Sequence, residues 1–255
     1  MQQVYSLSDK KHSSPRKASR LLAVLLLLLI FSACQPEPVI EPEVTPIILE
    51  AHITPSLRVF APQFQTCAQE LPNTGLVLID AEGLTEEAAL PRLTLRWGTE
   101  PAPSGYAAVL ADERMVVVVH PDNPMTSMGV SELRAIYQGR QVEWSSPAEG
   151  DVEAWSYSPT ADITRIFEKA VMEGEAISPR AAGIVPDPAA MLEVVASSPQ
   201  AAGFLPESWL NEQVKVVDIE GIEAEELSAP ILAISPAEPQ GWERSWLICL
   251  QDTLR

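Results

Sequence analysis

The chain has few residues of the types on which most catalytic and metal sites depend. Its 255 residues include three histidines and three cysteines. The patterns HExxH, CxxC, GxSxG and a glycine-rich phosphate loop are absent from the sequence. His12 falls in the N-terminal segment, whereas His52 and His120 lie in or at the ends of predicted strands, where a lone histidine is usually structural. We therefore expect no enzyme activity, cofactor or metal centre.

Basic residues are also scarce. The chain carries 17 Lys and Arg against 35 Asp and Glu, a net charge of −18. Without residues 1–33, which hold five of the basic residues and one of the acidic ones, the charge falls to near −22. This excess argues against nucleic acid and anionic lipid surfaces as partners. A small anion stays compatible, because helix N-termini bind anions without net positive charge. The acidic runs LTEEAAL and IEAEEL are interpreted as solvated faces, with a divalent cation as the alternative.

The longest apolar run is short. Leu21–Ala33 follows a basic segment and is about 13 residues long, which is typical of a signal-peptide core rather than a membrane span. The run ends in Phe-Ser-Ala before Cys34, which resembles the lipobox of bacterial lipoproteins, although Phe31 replaces the usual Leu. We expect a signal peptide over residues 1–33, lipidation of Cys34 and export; the alternative is an uncleaved anchor. Residues 34–45 are rich in Pro and Glu, as in an extended tether.

The two remaining cysteines lie on apolar stripes with helical spacing. Cys67 is on the stripe of the first candidate helix, and Cys249 is on that of the last. In an oxidising compartment these residues predict a disulfide that joins the two ends of the domain. The alternative is two separate buried thiols.

Strand and helix patterns alternate along residues 46–250. Strands are predicted at 46–53, 75–80, 93–98, 115–120, 152–158, 201–206, 214–221 and 229–236, and helices at 54–71, 130–138, 160–173, 187–199 and 241–250. A weak helical pattern covers 85–91, and Pro62 should kink the first helix. This alternation predicts an α/β fold with mostly parallel sheets and no solenoid repeat.

Four segments, in order, resemble a known family. HPDNP followed by VSELRAIYQGRQVEW is similar to the segment NP…L…QLR.IF.G…W of the phosphate-type substrate-binding proteins of ABC importers. ITPSL matches the position of that family's first ligand loop. DITRIFEKAV resembles its Ser-Gly-Thr-Arg…Phe stretch, and AAGFLPESWL resembles its Ile-Gly-Tyr…Pro…Ser-Tyr-Leu segment. The resemblance covers residues 46–250.

The resemblance implies a two-lobed, type II periplasmic-binding-protein-like fold with two interlobe crossings. Residues 46–114 and 226–255 would form the first lobe, and residues 115–225 would form the second. The valine-rich strand would then be the first crossing, and the helix after it would be scaffold.

The resemblance also implies ligand-binding positions in three loops, which are Thr54, Ser56 and Leu57, then Trp97 and Thr99, and finally Thr160, Asp162, Thr164 and Arg165. The alternative for Thr54 and Ser56 is ordinary helix capping, and for Trp97 it is packing between the lobes. In the third loop, aligning Thr164 and Arg165 with the family's Thr-Arg puts Asp162 and Ile163 in place of Ser and Gly. Aligning Phe167 instead loses nearly the whole motif. An aspartate can accept a hydrogen bond from protonated phosphate but repels a fully ionised oxyanion.

The sequence thus predicts a monomeric, lipid-anchored, extracytoplasmic solute-binding protein that captures a small anion, phosphate first, and delivers it to the membrane subunits of an ABC importer. The alternative is a sensory or protein-interaction module that kept the fold and lost the anion clamp. A cleft filled by large side chains such as Trp97 and Trp155 would favour the alternative.

Overall fold

The computed structural model describes residues 45–81, 93–98 and 105–254. Within them the strands are β1 (Ile47–Ile53), β2 (Thr74–Asp80), β3 (Thr94–Trp97), β4 (Tyr106–Val119), β5 (Ser127–Gly129), β6 (Glu153–Ser156), β7 (Gly183–Ile184), β8 (Ala201–Pro206), β9 (Lys215–Glu220) and β10 (Ser228–Ser235). The helices are α1 (Ala61–Gln69), α2 (Val130–Tyr137), α3 (Asp162–Ala170), α4 (Pro188–Ser197) and α5 (Gly241–Thr253). Short 3₁₀ helices cover Pro55–Phe60, Glu207–Trp209 and Ala224–Leu227.

The strands form one mixed sheet in the order β2-β1-β3-β10-β4-β8-β6-β7, with β9 also paired to β4 and β5 to β9. Five pairings are parallel, and the four that involve β10 or β4 are antiparallel. The predicted α/β class is confirmed. Two elements were missed: β5 and β7 contain three and two residues, too few for a periodic pattern.

Strand β4 changes partners along its length. Tyr106–Arg114 pairs with β10, whereas Met115–Val119 lies between β8 and β9. We therefore distinguish a first strand group (β1, β2, β3, β10 and the start of β4) from a second one (the end of β4 and β5–β9). The sequence predicts β4 only from Met115, because the three residues before it, Asp112, Glu113 and Arg114, are charged. The valine segment is at most 6% exposed, as its uninterrupted apolar run indicates.

Helix α1 begins later than predicted. The chain after Thr54 first forms a 3₁₀ turn, Pro55–Phe60, and α1 begins at Ala61. The sequence predicts a kink at Pro62. Instead, Pro62 lies in the first turn of α1, where a backbone N–H has no intrahelical acceptor, so the proline does not interrupt the helix. The expected helix at 85–91 lies outside the described residues.

The predicted disulfide between Cys67 and Cys249 is present and joins α1 to α5. Beside it, Trp246 of α5 packs edge-on against Phe64 of α1 at 6.2 Å between ring centroids, and its indole N–H donates to the Phe64 carbonyl at 2.9 Å. Covalent and aromatic contacts therefore fix the last helix to the first.

A second aromatic cluster holds the helices of the second strand group. Phe167 of α3 stacks on Phe204 of β8 at 4.2 Å, and Tyr137 of α2 contacts both rings. The Tyr137 hydroxyl donates to the Trp155 carbonyl at 3.0 Å. Burial raises the pKa of Tyr137 far above its usual range, so that this hydroxyl stays a neutral donor.

Loss of the disulfide should weaken the whole domain, since the bridge closes a loop of 182 residues in the unfolded chain. Replacing both Cys67 and Cys249 by Ser should lower the free energy of unfolding by about 2–4 kcal/mol. Urea denaturation of the oxidised wild type, the reduced wild type and the double variant measures this loss. The reduced protein and the double variant should agree; equal stability of all three would contradict the expectation.

Close packing at Gly203 should make this position intolerant of a side chain. A Cβ there would lie 2.3 Å from the Met191 sulfur and 3.2 Å from a Val195 methyl carbon, between β8 and α4. Gly203→Ala should cost about 1–3 kcal/mol through overpacking. Gly75→Ala on β2 is the matched control, because its Cβ would meet only the end of Ile48 at 3.4 Å. Equal unfolding midpoints for the two variants would contradict this account.

Candidate ligand-binding pocket

One pocket of about 340 Å³ lies where the carboxyl ends of five strands meet. Thr54 follows β1, Ala81 follows β2, Gly98 follows β3, Ser158 follows β6 and Val185 follows β7, and all five residues line it. Ligands of open α/β sheets bind at this edge. The pocket is therefore bounded by loops from both strand groups.

The pocket wall combines basic, hydroxyl and apolar side chains. The basic residues are Arg96, Arg165 and Lys169, and Asp162 is the acidic residue among the described lining. Ser158 and Thr160 bring hydroxyls, which lie 3.0 Å apart. The apolar wall includes Ile166, Ile184, Val185 and Pro186.

The structure places some of the predicted ligand-binding residues in the pocket wall and others elsewhere. It brings Thr54, Trp97, Thr160, Asp162 and Arg165 together around the pocket. Ser56 lies behind this wall, 2% exposed and hydrogen-bonded to Asp162.

Three predicted positions do not line the pocket or cannot be placed. Leu57 and Thr164 are about 1% exposed and absent from the lining. Thr99 lies outside the described residues, as does the predicted lipidation site Cys34.

Thr54 precedes the 3₁₀ turn but does not cap it. Its side chain makes no capping hydrogen bond and lies 3.0 Å from the Ser56 hydroxyl. The Ser56 hydroxyl in turn donates to Asp162 Oδ2 at 2.6 Å. Ordinary capping therefore does not account for these two hydroxyls, which belong to a network that ends on the Asp162 carboxylate.

The Asp162 carboxylate accepts three hydrogen bonds at the pocket. Besides Ser56, the Trp97 backbone N–H donates to Oδ2 at 3.2 Å and the Ile163 N–H donates to Oδ1 at 2.7 Å. Ser56 and Trp97 belong to the first strand group, whereas Asp162 begins α3 in the second. The carboxylate thus joins the two groups at the pocket.

Two further contacts join the strand groups nearby. The Trp209 indole N–H donates to the Ser56 carbonyl at 2.7 Å. Arg58 binds Asp80 at the end of β2 and, at 2.9 Å, Asp187 at the start of α4. Hydrogen bonding to Asp80 is the main cause that raises the pKa of Arg58, so that it is charged at every working pH.

Neither predicted tryptophan fills the pocket. Trp97 lines it, but its indole N–H donates to the Ala229 carbonyl at 2.9 Å and the side chain is 1% exposed. Trp155 is absent from the lining and lies against Gly183. The open volume is thus compatible with a ligand.

Sequence reasoning missed Arg96 and Lys169. Arg96 is the neighbour of Trp97 on a strand, and single basic residues of this kind form no motif. Lys169 had a usable signal, because it follows Arg165 by four residues and therefore shares a helix face with it.

Tyr157, the residue before Ser158, does not supply an acid or a base to the pocket. The Tyr157 hydroxyl donates to the Phe204 carbonyl at 2.8 Å. Burial raises the pKa of Tyr157 well above its usual range, with smaller contributions from nearby acidic groups that include Asp187 and Asp162. Within the described ranges, no group of three or more His, Cys, Asp and Glu side chains is arranged to hold a metal ion, and no helix has the length and hydropathy of a membrane span.

No protein-family model and no curated protein sequence matches the chain. Several solved structures are similar to it. A phosphate ABC transport receptor from Vibrio cholerae is 18% identical with a TM-score of 0.59, and the match covers 79% of this chain and 93% of that one. A protein assigned as a phosphate ABC transporter substrate-binding protein from Clostridium perfringens, with bound phosphate, is 14% identical with a TM-score of 0.65 and the same coverages.

A regulatory domain has a similar structure. The CcmR regulatory domain of Synechocystis PCC6803, in complex with 2-PG, is 10% identical with a TM-score of 0.58 over 82% of this chain and 97% of that one. At these identities the similarities show the fold alone. Transport receptors and a regulatory domain thus have the architecture described above, and the chain has the predicted type II periplasmic-binding-protein-like fold.

Proposed function

We propose that this chain is an exported solute-binding protein that captures a small anion in the pocket between the two strand groups and delivers it to an ABC importer. The observation that carries the proposal is the open volume of about 340 Å³ at the carboxyl ends of five strands. Ligand pockets of small organic molecules begin at about 300 Å³. A fold that had lost binding would be expected to fill this volume with side chains, and Trp97 and Trp155 leave it open.

The charge of the wall supports an anion. Among the described residues, three basic side chains and one carboxylate line the pocket, in a chain whose overall charge is −18. Basic residues thus lie at the edge of the sheet where folds of this class bind ligands. Arg165 offers the planar donor pair that suits carboxylates and phosphates. Inorganic phosphate is the first anion to test, by the resemblance of the four sequence segments.

The transport role rests on the N-terminal sequence as well. The basic segment, the apolar run and Cys34 support export and a lipid anchor on the outer face of the cell membrane, with residues 34–45 as the tether. In this proposal residues 46–114 and 226–255 form one lobe, residues 115–225 form the other, and a monomer closes about its ligand.

A second candidate is a sensory or protein-interaction module with the same fold. The observation that favours it is the set of hydrogen bonds from Ser56 and Trp97 to Asp162, which joins the strand groups through side chains of the protein itself. A receptor that is closed in this way without a solute would signal through another surface. The regulatory domain from Synechocystis shows that this fold also serves regulation.

Anion binding should stabilise the folded chain. At a hundredfold excess over its dissociation constant, a ligand of the native state should add about 2.7 kcal/mol to the free energy of unfolding. We expect a saturable rise in the thermal midpoint of the purified full-length chain with an anion, and none with neutral sugars or zwitterionic amino acids. The panel should contain phosphate, sulfate and simple organic acids at constant ionic strength.

Arg165→Gln should weaken this binding by about tenfold or more, because it removes one charge from the pocket wall. Arg180→Gln is the matched control, since Arg180 is exposed and absent from the lining. No shift with any solute would contradict the importer proposal and favour the regulatory module. A shift with neutral solutes alone would contradict the anion class.

Replacement of Cys34 should release the protein from the membrane. Cys34→Ser removes the thiol that the lipid would modify, so that the exported chain should move from the membrane fraction to the soluble extracytoplasmic fraction. Immunoblots of both fractions measure this. Ser32→Thr, which leaves the cysteine in place, should keep membrane attachment. Membrane retention of the Cys34→Ser variant would contradict the lipid anchor.

A further inference from the structure

The position that a bound oxyanion would take among the loop donors is filled by a side chain. Asp162 Oδ2 lies 2.6 Å from the Ser56 hydroxyl and 3.2 Å from the Trp97 N–H, and Oδ1 accepts the Ile163 N–H at 2.7 Å. One hydroxyl and two backbone N–H groups that converge on two oxygens make an anion site.

The hydroxyl protons leave no donor there for a solute. Ser56 has one hydroxyl proton, and its 2.6 Å contact with a carboxylate oxygen requires that Ser56 donate it. The Thr54 hydroxyl, 3.0 Å from Ser56, must then donate to the Ser56 oxygen. The hydroxyls of Thr54 and Ser56 are therefore directed, in series, at Asp162.

The basic side chains lie further along the same helix. Arg165 follows Asp162 by three residues and Lys169 follows it by seven, so that a rise of 1.5 Å per residue places them roughly 5 and 10 Å along α3. Arg165 and Lys169 line the pocket together with Ile166 of the same helix and with Ile184 and Val185 at the end of β7. This part of the pocket has a cationic end and an apolar wall.

The open volume exceeds what an inorganic oxyanion needs. At about 30 Å³ for each water molecule in the liquid, 340 Å³ corresponds to roughly ten waters. Phosphate or sulfate would occupy a small part of this space and would leave the apolar wall uncovered. A small organic molecule would fill it.

We propose that Asp162 is a built-in anion that excludes inorganic oxyanions from the loop donors, and that the ligand is an organic anion, a carboxylate or a phosphate monoester. Its charged group lies at Arg165 and Lys169, and its carbon skeleton lies against Ile166, Ile184 and Val185. The ligand class in this inference rests on the proposed function. The exclusion of inorganic oxyanions rests on the hydrogen bonds of Asp162.

The test separates these two parts. Asp162→Ser vacates the carboxylate position and keeps a short polar side chain at the first residue of α3. Asp162→Asn keeps the side-chain volume without the charge, and Asp252→Asn is a control on an exposed aspartate. Calorimetry and thermal unfolding of each full-length protein are run at constant ionic strength with phosphate, sulfate and formate, then with succinate, malonate and glycerol phosphate.

We expect the wild type to bind at least one of the three organic anions and none of the inorganic ones or formate. Asp162→Ser should bind phosphate or formate at least about tenfold more tightly than the wild type, because the vacated donors accept an anion from solution. Asp162→Asn and Asp252→Asn should show no such gain.

Saturable binding of phosphate or sulfate to the wild type would overturn the exclusion and leave the proposed function intact. A folded Asp162→Ser variant without any gain would overturn it too. If that variant does not fold, the wild type decides, since organic anions must bind it and inorganic ones must not. If no organic anion binds the wild type, the ligand class is wrong. If no anion of either kind binds it, the proposed function fails as well, whereas a gain in Asp162→Ser would still establish the built-in anion.

Discussion

The architecture depends on the pairing of one strand, β4, with three others. Tyr106–Arg114 bonds to β10, and the valine segment that follows lies between β8 and β9. Because one continuous strand takes part in both strand groups, their distance and twist are set by backbone hydrogen bonds. The carboxyl ends of β1, β2 and β3 are thereby placed opposite those of β6 and β7, and the pocket lies between them. The site is a consequence of the sheet before any loop residue is considered.

Side chains then determine how the two sides of the pocket meet. Asp162 reaches Ser56 and Trp97, while Arg58 reaches Asp187. The Asp162 contacts are partly buried, so that they are screened less by salt than the surface ion pairs of this acidic chain. Burying a carboxylate at this half-buried position would cost free energy if the charge had no partner. Here three hydrogen-bond donors compensate the charge. The same compensation removes those donors from the set available to a ligand.

Residue patterns were sufficient for most elements and for the disulfide, since periodicity and apolar stripes are local properties. These patterns failed where the strand conformation of a segment depends on pairing with a neighbouring strand. Tyr106–Arg114 ends in Asp112, Glu113 and Arg114, and its strand conformation comes from β10. Strand β7 exists because Gly183 and Ile184 meet β6. In the pocket, Thr54 and Asp162, which loop order predicts as ligand positions, are among the lining residues. The direction of the Thr54 and Ser56 protons follows from distances that only the fold provides.

The Asp162 carboxylate also constrains how any solute could change the conformation. A covalently attached group has an effective concentration that free solutes rarely match, so that a dissolved oxyanion competes poorly for the same donors. The contacts from Ser56 and Trp97 to Asp162 therefore form at any solute concentration. A ligand shifts a conformational equilibrium only through contacts that differ between the states. In the proposed role such contacts would come from other residues that line the pocket, among them Arg165 and Lys169 on α3 and Arg96 on β3. In the proposed solute-binding role, a solute that contacts these residues would add to the hydrogen bonds that Asp162 already makes between the two strand groups.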